Sequence, residues 1–211
     1  MTVLRPPSPR TAPRVSARVV ALVLAALLAA AAPTVAPARE APAPIEGAAL
    51  DVQDGDSFLL RADDGRRVRV RVNGIDAPEK HQPWADASRR HLGDLLRGRR
   101  IRLEPVKQDV FDRTVARVIV VDDGPGTAGT PERDAGLAQV EAGLAWHFKR
   151  YRSDQTDDAF ARYARAERDA QARGLGLWRD ATPEAPWDFR ARQRREQAAQ
   201  AESSEGSKAR P

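Results

Sequence analysis

The stretch from Asp54 to Glu79, DGDSFLLRADDGRRVRVRVNGIDAPE, constrains this chain more than any other. Two apolar runs flank Asp63-Asp64-Gly65, which is the pattern of a β-hairpin closed by a short glycine-containing loop. A three-residue loop pairs Phe58 with Val70 and Leu60 with Val68, collecting the large apolar side chains on one face. It also brings Asp56 within about one rung of Arg71. Ideal pleating puts those two on opposite faces, so the Asp54-Gly55-Asp56 entry is expected to bend or bulge, with Gly55 relieving the Cβ restriction.

At the far end of the hairpin, Pro78 keeps the chain extended and ends the strand. Asp56 and Asp76 can therefore converge at one rim, with Glu79 just past the turn. Calcium takes roughly six to eight oxygens, of which two monodentate carboxylates and one backbone carbonyl, that of Ala77, supply a part. Water and a substrate phosphate are left to fill the rest. An open position of that kind suits a catalytic ion better than a structural one.

Asp54-Gly55-Asp56-Ser57, then Arg71 shortly before Ile75-Asp76-Ala77-Pro78-Glu79, then Asp109 to Arg117 (DVFDRTVAR), resemble the staphylococcal nuclease (thermonuclease) family. The likeness continues through Glu141 to Trp146, the Ala166-Glu167 region and Gly174 to Trp178, covering about residues 45 to 190. The resemblance implies an α+β, mainly β fold: a five-stranded OB-type barrel with about three packed helices. It implies calcium-dependent hydrolysis of DNA and RNA, with the 5′ oxygen leaving and 3′-phosphate products. Position by position it gives Asp56, Asp76 and the carbonyl of Ala77 as calcium ligands, Glu79 as general base, and Arg71 and Arg113 as the phosphate-facing arginines. Phe111 and Tyr151 match residues beside the nucleotide. The chemistry agrees: an ionised glutamate can deprotonate or orient water, and two planar guanidiniums match the charge that builds on the equatorial oxygens.

Residues 1–38 read as a leader rather than as fold. Arg5, Arg10, Arg14 and Arg18 form a positive region without acids, Val19 to Ala32 is a 14-residue apolar run, and Ala36-Pro37-Ala38 fits a small-residue cleavage site. A secreted or periplasmic protein is expected, with no membrane attachment after cleavage. There is no cysteine, hence no disulfide. The leader holds four arginines and no acid, so the formal charge of +5 falls to +1 without it. Global basicity is thus no argument for nucleic-acid binding. Local clusters remain: Arg66, Arg67, Arg69 and Arg71, then Arg97, Arg99, Arg100 and Arg102, each open to a reading as a solvated strand face or helix end.

After a linker at 39–45, the nuclease-like domain is expected over 46–190 and a disordered polar tail over 191–211. Within the domain the pattern predicts a strand at Glu46 to Gln53, a helix from His81 to Arg97, strands at Arg100 to Lys107 and Thr114 to Val121, and a short helix at Asp134 to Gly143. Ala145 to Tyr151 reads as extended. Asp157 to Arg173 is the clearest helix, capped by Thr156 and stopped by Gly174. Pro186 to Arg190 reads as a last aromatic plug. Asp123 to Arg133 is a Gly/Pro-rich surface insertion.

Two features depart from the family pattern. Asp112 stands where a glycine commonly precedes the matched arginine, and a carboxylate there could pair with Arg113 or repel substrate. Phe111 replaces a tyrosine and keeps an aromatic face without the hydroxyl. Glu167 reads as a structural carboxylate, and His81, His91 and His147 show no zinc-like pairing. Two functions stay open on sequence alone: a monomeric nuclease acting on single-stranded or locally melted DNA and RNA, or a catalytically inactive OB-fold module that binds nucleic acid.

Overall fold

The computed structural model describes residues 42–121 and 132–208, with side chains as far as residue 201. The leader, the first linker residues and Asp123 to Pro131 of the expected insertion lie outside the described residues. Five strands make the frame: β1 (Ile45–Val52), β2 (Ser57–Ala62), β3 (Arg67–Val72), β5 (Arg100–Gln108) and β6 (Thr114–Val121). They run β3-β2-β1-β5-β6, and a parallel pairing of β3 with β6 closes the barrel. β7 (Arg133–Asp134) extends this sheet beside β6, while β4 (Ile75–Asp76) and β8 (Trp146–His147) form a separate two-stranded sheet.

The hairpin register is the expected one, Phe58 opposite Val70 and Leu60 opposite Val68. Gly65 sits at φ 88°, and the Ala62 amide donates to the Arg66 carbonyl across Asp63-Asp64-Gly65. That turn geometry needs a residue without a Cβ penalty. Phe58, Leu60, Val70 and Val72 are consequently at most 1% exposed. Each such side chain contributes about 1.5–3 kcal/mol on burial. Irregularities fall between Ala49 and Asp51 in the β1–β2 ladder, and where Pro105 interrupts the β5 ladder because it has no N–H to donate.

Three helices pack on the barrel: α1 (Ala85–Leu96), α2 (Ala135–Glu141) and α3 (Asp157–Ala172). α1 begins four residues later than the spacing predicts. His81 and Trp84 both take positive φ, 70° and 71°, and the Glu79 amide donates to the Gln82 side chain, so residues 79–84 turn before the helix can start. α2 is capped by Asp134 and α3 by Thr156, whose side chains accept from the Leu137 and Ala159 amides. Residues 145–151 are extended only at Trp146–His147, after which Lys149–Asp154 winds as a 3₁₀ turn.

The polar segment 192–208 is helical, where sequence composition suggested disorder. α4 runs from Pro186 to Lys208. Its start is held by tertiary packing, since Ala185 and Phe189 are buried and Trp187 lies 5.6 Å from both Trp146 and Phe148. Beyond that, Ala, Gln, Glu and Arg are strong helix formers, and Arg192 pairs with Glu196 one turn on, at 3.0 Å. Among the described residues no helix is long and apolar enough to cross a membrane.

Candidate active site

The site begins with the Asp54-Gly55-Asp56 turn between β1 and β2. The Asp54 side chain accepts from the Asp56 amide at 2.9 Å, and the Asp56 carbonyl accepts from Val72 at 2.8 Å, which is the bend that simple pleating lacked. Gly55 is required by space rather than by φ. A Cβ there would sit 1.8 Å from the Ser88 hydroxyl of α1. The turn is latched by Gln139 of α2, fully buried, whose Nε2 donates to the Gly55 carbonyl at 2.6 Å and to the Ser88 carbonyl at 3.0 Å.

From this turn Asp56 points inward, 2% exposed, opposite Asp76 of β4 at 0%. β4 itself is held by β8, and β8 by the buried carboxylate of Glu167, which accepts from the His147 amide at 3.0 Å and pairs with Lys149. Glu167 is thus a structural acid that fixes the strand carrying Asp76. Arg71 of β3 joins the two aspartates, donating Nη1 to Asp56 Oδ1 and Nη2 to Asp76 Oδ1, the latter at 2.8 Å. The Ala77 amide completes Asp56 by donating to Oδ2 at 2.8 Å.

Burial, helped by Asp54 and Asp76 and opposed by Arg71, pushes the Asp56 carboxyl up to about 7. Burial pulls the Arg71 guanidinium down, but the two aspartates outweigh it and hold it above its usual value.

Arg113 comes from the β5–β6 connection, and its partner is Asp109 rather than Asp112. Asp109 accepts from the Phe111 and Arg113 amides, each at 2.9 Å, and from the Arg113 guanidinium at 2.8 Å. Burial alone would raise the Asp109 carboxyl, but these donors hold it below the usual range. Asp112 adopts φ 58°, the conformation that explains a glycine preference at this position, and its carboxylate lies 3.4 Å from Arg69. Arg113 is therefore aimed, with Phe111 stacked 5.5 Å from it and 66% exposed.

Arg71, Glu79, Phe111, Arg113 and Tyr151 line one groove of about 660 Å³. Lys107 lies over the Tyr151 ring at 4.2 Å and Phe148 packs edge-on to it at 5.4 Å. Trp146 and Phe148 lie in the aromatic packing that receives Trp187. The arginine clusters read from the sequence are largely neutralised: Arg66 pairs with Asp64, Arg97 with Asp94, Arg100 with Glu46 and Asp63, and Arg102 with Glu132.

One residue of the site was not singled out by sequence reasoning. Arg190 of α4 donates Nη2 to Asp76 Oδ2 at 2.8 Å, Nη1 to Asp76 Oδ1 at 3.2 Å, and pairs with Glu79. The only sign of it was a Trp-Asp-Phe-Arg run in an otherwise polar segment.

In kind, the donors fit a hard divalent cation: two buried carboxylates, one of them pushed toward its neutral form chiefly by burial, with Asp54 and Asp76 adding to it. In number they are few, since among the described residues no group of three or more acidic or histidine side chains is arranged to hold a metal ion by itself. Such a site holds an ion only with backbone, water or phosphate oxygens added. Asp56 and Asp76 would be its side-chain ligands.

The chain is also similar to known proteins. The family model described as "Staphylococcal nuclease homologue" matches residues 69–180. An uncharacterized endonuclease of Haemophilus influenzae is 31% identical over 145 residues, 69% of this chain and 72% of that protein. A micrococcal nuclease of Shigella flexneri is 32% identical over 148 residues, 70% of this chain and 82% of that one. A probable staphylococcal-like nuclease of Oryza sativa is 35% identical over 129 residues, 61% of this chain but 31% of the rice protein, so the chain spans under a third of that relative. A closed five-stranded barrel, two buried aspartates joined by one arginine and a second arginine on the neighbouring loop thus stand in a chain that belongs to the staphylococcal nuclease family and is a nuclease.

Proposed function

We propose that the chain is a calcium-dependent phosphodiesterase that hydrolyses DNA and RNA backbones, expelling the 5′ oxygen and leaving 3′-phosphate ends. The observation that carries this reading is the Arg71 bridge. One guanidinium faces two buried carboxylates, and Glu79 opens on the same groove as Arg71 and Arg113. Bound calcium would supply charge neutralisation and polarise a phosphate oxygen. Asp56 and Asp76, with the Ala77 carbonyl, would hold it.

The remaining chemistry belongs to the chain. Glu79 takes a proton from the attacking water, and Arg71 and Arg113 pair with the equatorial oxygens as charge develops on them. Asp109 keeps Arg113 from searching rotamers, which lowers the entropy of reaching that geometry. Phe111 and Tyr151 offer flat faces to bases, a sequence-tolerant contact that favours single-stranded or locally melted substrate. The enzyme acts as a monomer. The basic, apolar and small-residue order of residues 1–38 supports export to the periplasm or beyond, with no membrane attachment of the mature form.

Purified protein incubated with single-stranded DNA or RNA, in calcium or in excess chelator, tests the reading. Expected are fragments ending in 3′-phosphate with calcium and intact substrate with chelator. Cleavage indifferent to chelator, or fragments carrying 5′-phosphate, would overturn it.

A further inference from the structure

Asp76 is the most deeply buried acid of the site, and guanidiniums take both its oxygens. Oδ1 accepts from Arg71 at 2.8 Å and from Arg190 at 3.2 Å, while Oδ2 accepts from Arg190 alone at 2.8 Å. Arg190 also reaches Glu79. A planar guanidinium forked over one carboxylate and extended to a second satisfies the same charges that a divalent cation would satisfy. We infer that Arg190 is an internal competitor for the cation: without calcium it occupies the place on Asp76 that calcium needs and pairs with the base Glu79 as well, and loading the site turns its side chain out into the groove. The inference rests on the calcium reading above.

Three observations separate Arg190 from a fixed clamp. Its side chain is 34% exposed, against 20% for Arg71, so it lies on the solvent side and has room to leave. Its backbone does not need to move, because Trp187 packs on Trp146 and Phe148, and Phe189 is buried one position before it. Only the flexible stem has to rotate, into the groove that Arg190 already lines with Arg113 and Tyr151. The charge balance also leaves it replaceable. Asp54, Asp56, Asp76 and Glu79 gather around two arginines, so a dication that displaces one guanidinium does not leave the acids uncompensated. A fixed clamp makes the opposite prediction, since removing it would leave Asp76 and Glu79 unanchored and weaken cation binding.

Calcium titration calorimetry on the metal-free full chain decides between them, using wild type, Arg190→Gln and Arg190→Lys. Gln is expected to bind calcium about tenfold more tightly than wild type, with Lys between the two because it keeps the charge but loses the fork. Calcium should also raise the melting temperature of Arg190→Gln more than that of wild type, since the metal-free variant has lost its counter-ion. Equal or weaker binding by both variants overturns the inference and leaves the calcium reading standing. Absence of calcium binding in all three proteins defeats both. If Arg190→Gln is unfolded without calcium, the position of Arg190→Lys relative to wild type gives the answer.

Discussion

Arg190 grips both oxygens of Asp76 across 114 residues of sequence. The contact comes from α4, which starts beyond the segment 69–180 matched by the family model. Arg71, by contrast, belongs to the hairpin and stands only five residues from Asp76. One guanidinium is built into the barrel wall. The other is delivered by the packing of Trp187 and Phe189.

If that packing delivers Arg190, then Trp187→Ala should cost stability and unseat the contact together. The loss is expected to be about 3 kcal/mol, at the low end for a large aromatic because Trp187 is only partly buried. Denaturant unfolding of the variant measures it. A loss below about 0.5 kcal/mol, the size typical of surface substitutions, would mean that α4 is not anchored there.

Glu79→Gln should lower kcat by about a thousandfold while leaving the melting temperature close to wild type. The side chain is partly exposed and its contact is the ion pair with Arg190, so the fold does not depend on its charge. Single-turnover cleavage of a labelled oligonucleotide is the measurement, and a near-wild-type rate would remove Glu79 as the base.

Asp109 and Asp112 should behave differently although both flank the loop arginine. Asp109→Asn loses the ion pair that aims Arg113 and should reduce kcat/KM by about 10 to 100-fold, with little further loss when Arg113→Ala is added. Asp112→Gly should change kcat/KM by less than about threefold, because Asp112 makes an exposed pair with Arg69 rather than with Arg113. The four rates together form the test.

The pH dependence of the cation-free fold should carry the mark of Asp56. In the folded chain this carboxyl titrates near 7, against an ordinary value of 3.8. Between those values the native state keeps a proton that the unfolded chain has released, so stability falls as pH rises through this window and the effect is complete above about 7. Asp56→Asn has no such proton. Chemical denaturation in chelator at pH 5 and pH 8 should therefore show a larger decline in wild type than in Asp56→Asn, and parallel curves would contradict the assignment.

The hairpin, its register and the residues it carries were determined by sequence alone, because turn chemistry and a period of two act over a few residues. Gly65 must take positive φ, and once the loop has three residues Phe58 can only face Val70. The strands β5 and β6 and the helix α3 were legible for the same reason, as were Asp56, Asp76 and Glu79 as a group of acids. Local rules also misled where a stronger local or tertiary term won. The start of α1 was displaced by the turn at His81 and Trp84, and α4 was missed because its polar composition gives no apolar period.

What only tertiary structure decided is which charge meets which. A carboxylate and a guanidinium attract without regard to sequence separation, so nothing near Arg190 announces Asp76, and nothing near Gly55 announces Ser88 and Gln139. Sequence could say that Arg113 has two acidic neighbours. The backbone of the loop decided that Asp109 holds it and Asp112 turns away, because only one of them lies where the turn's own amides already point.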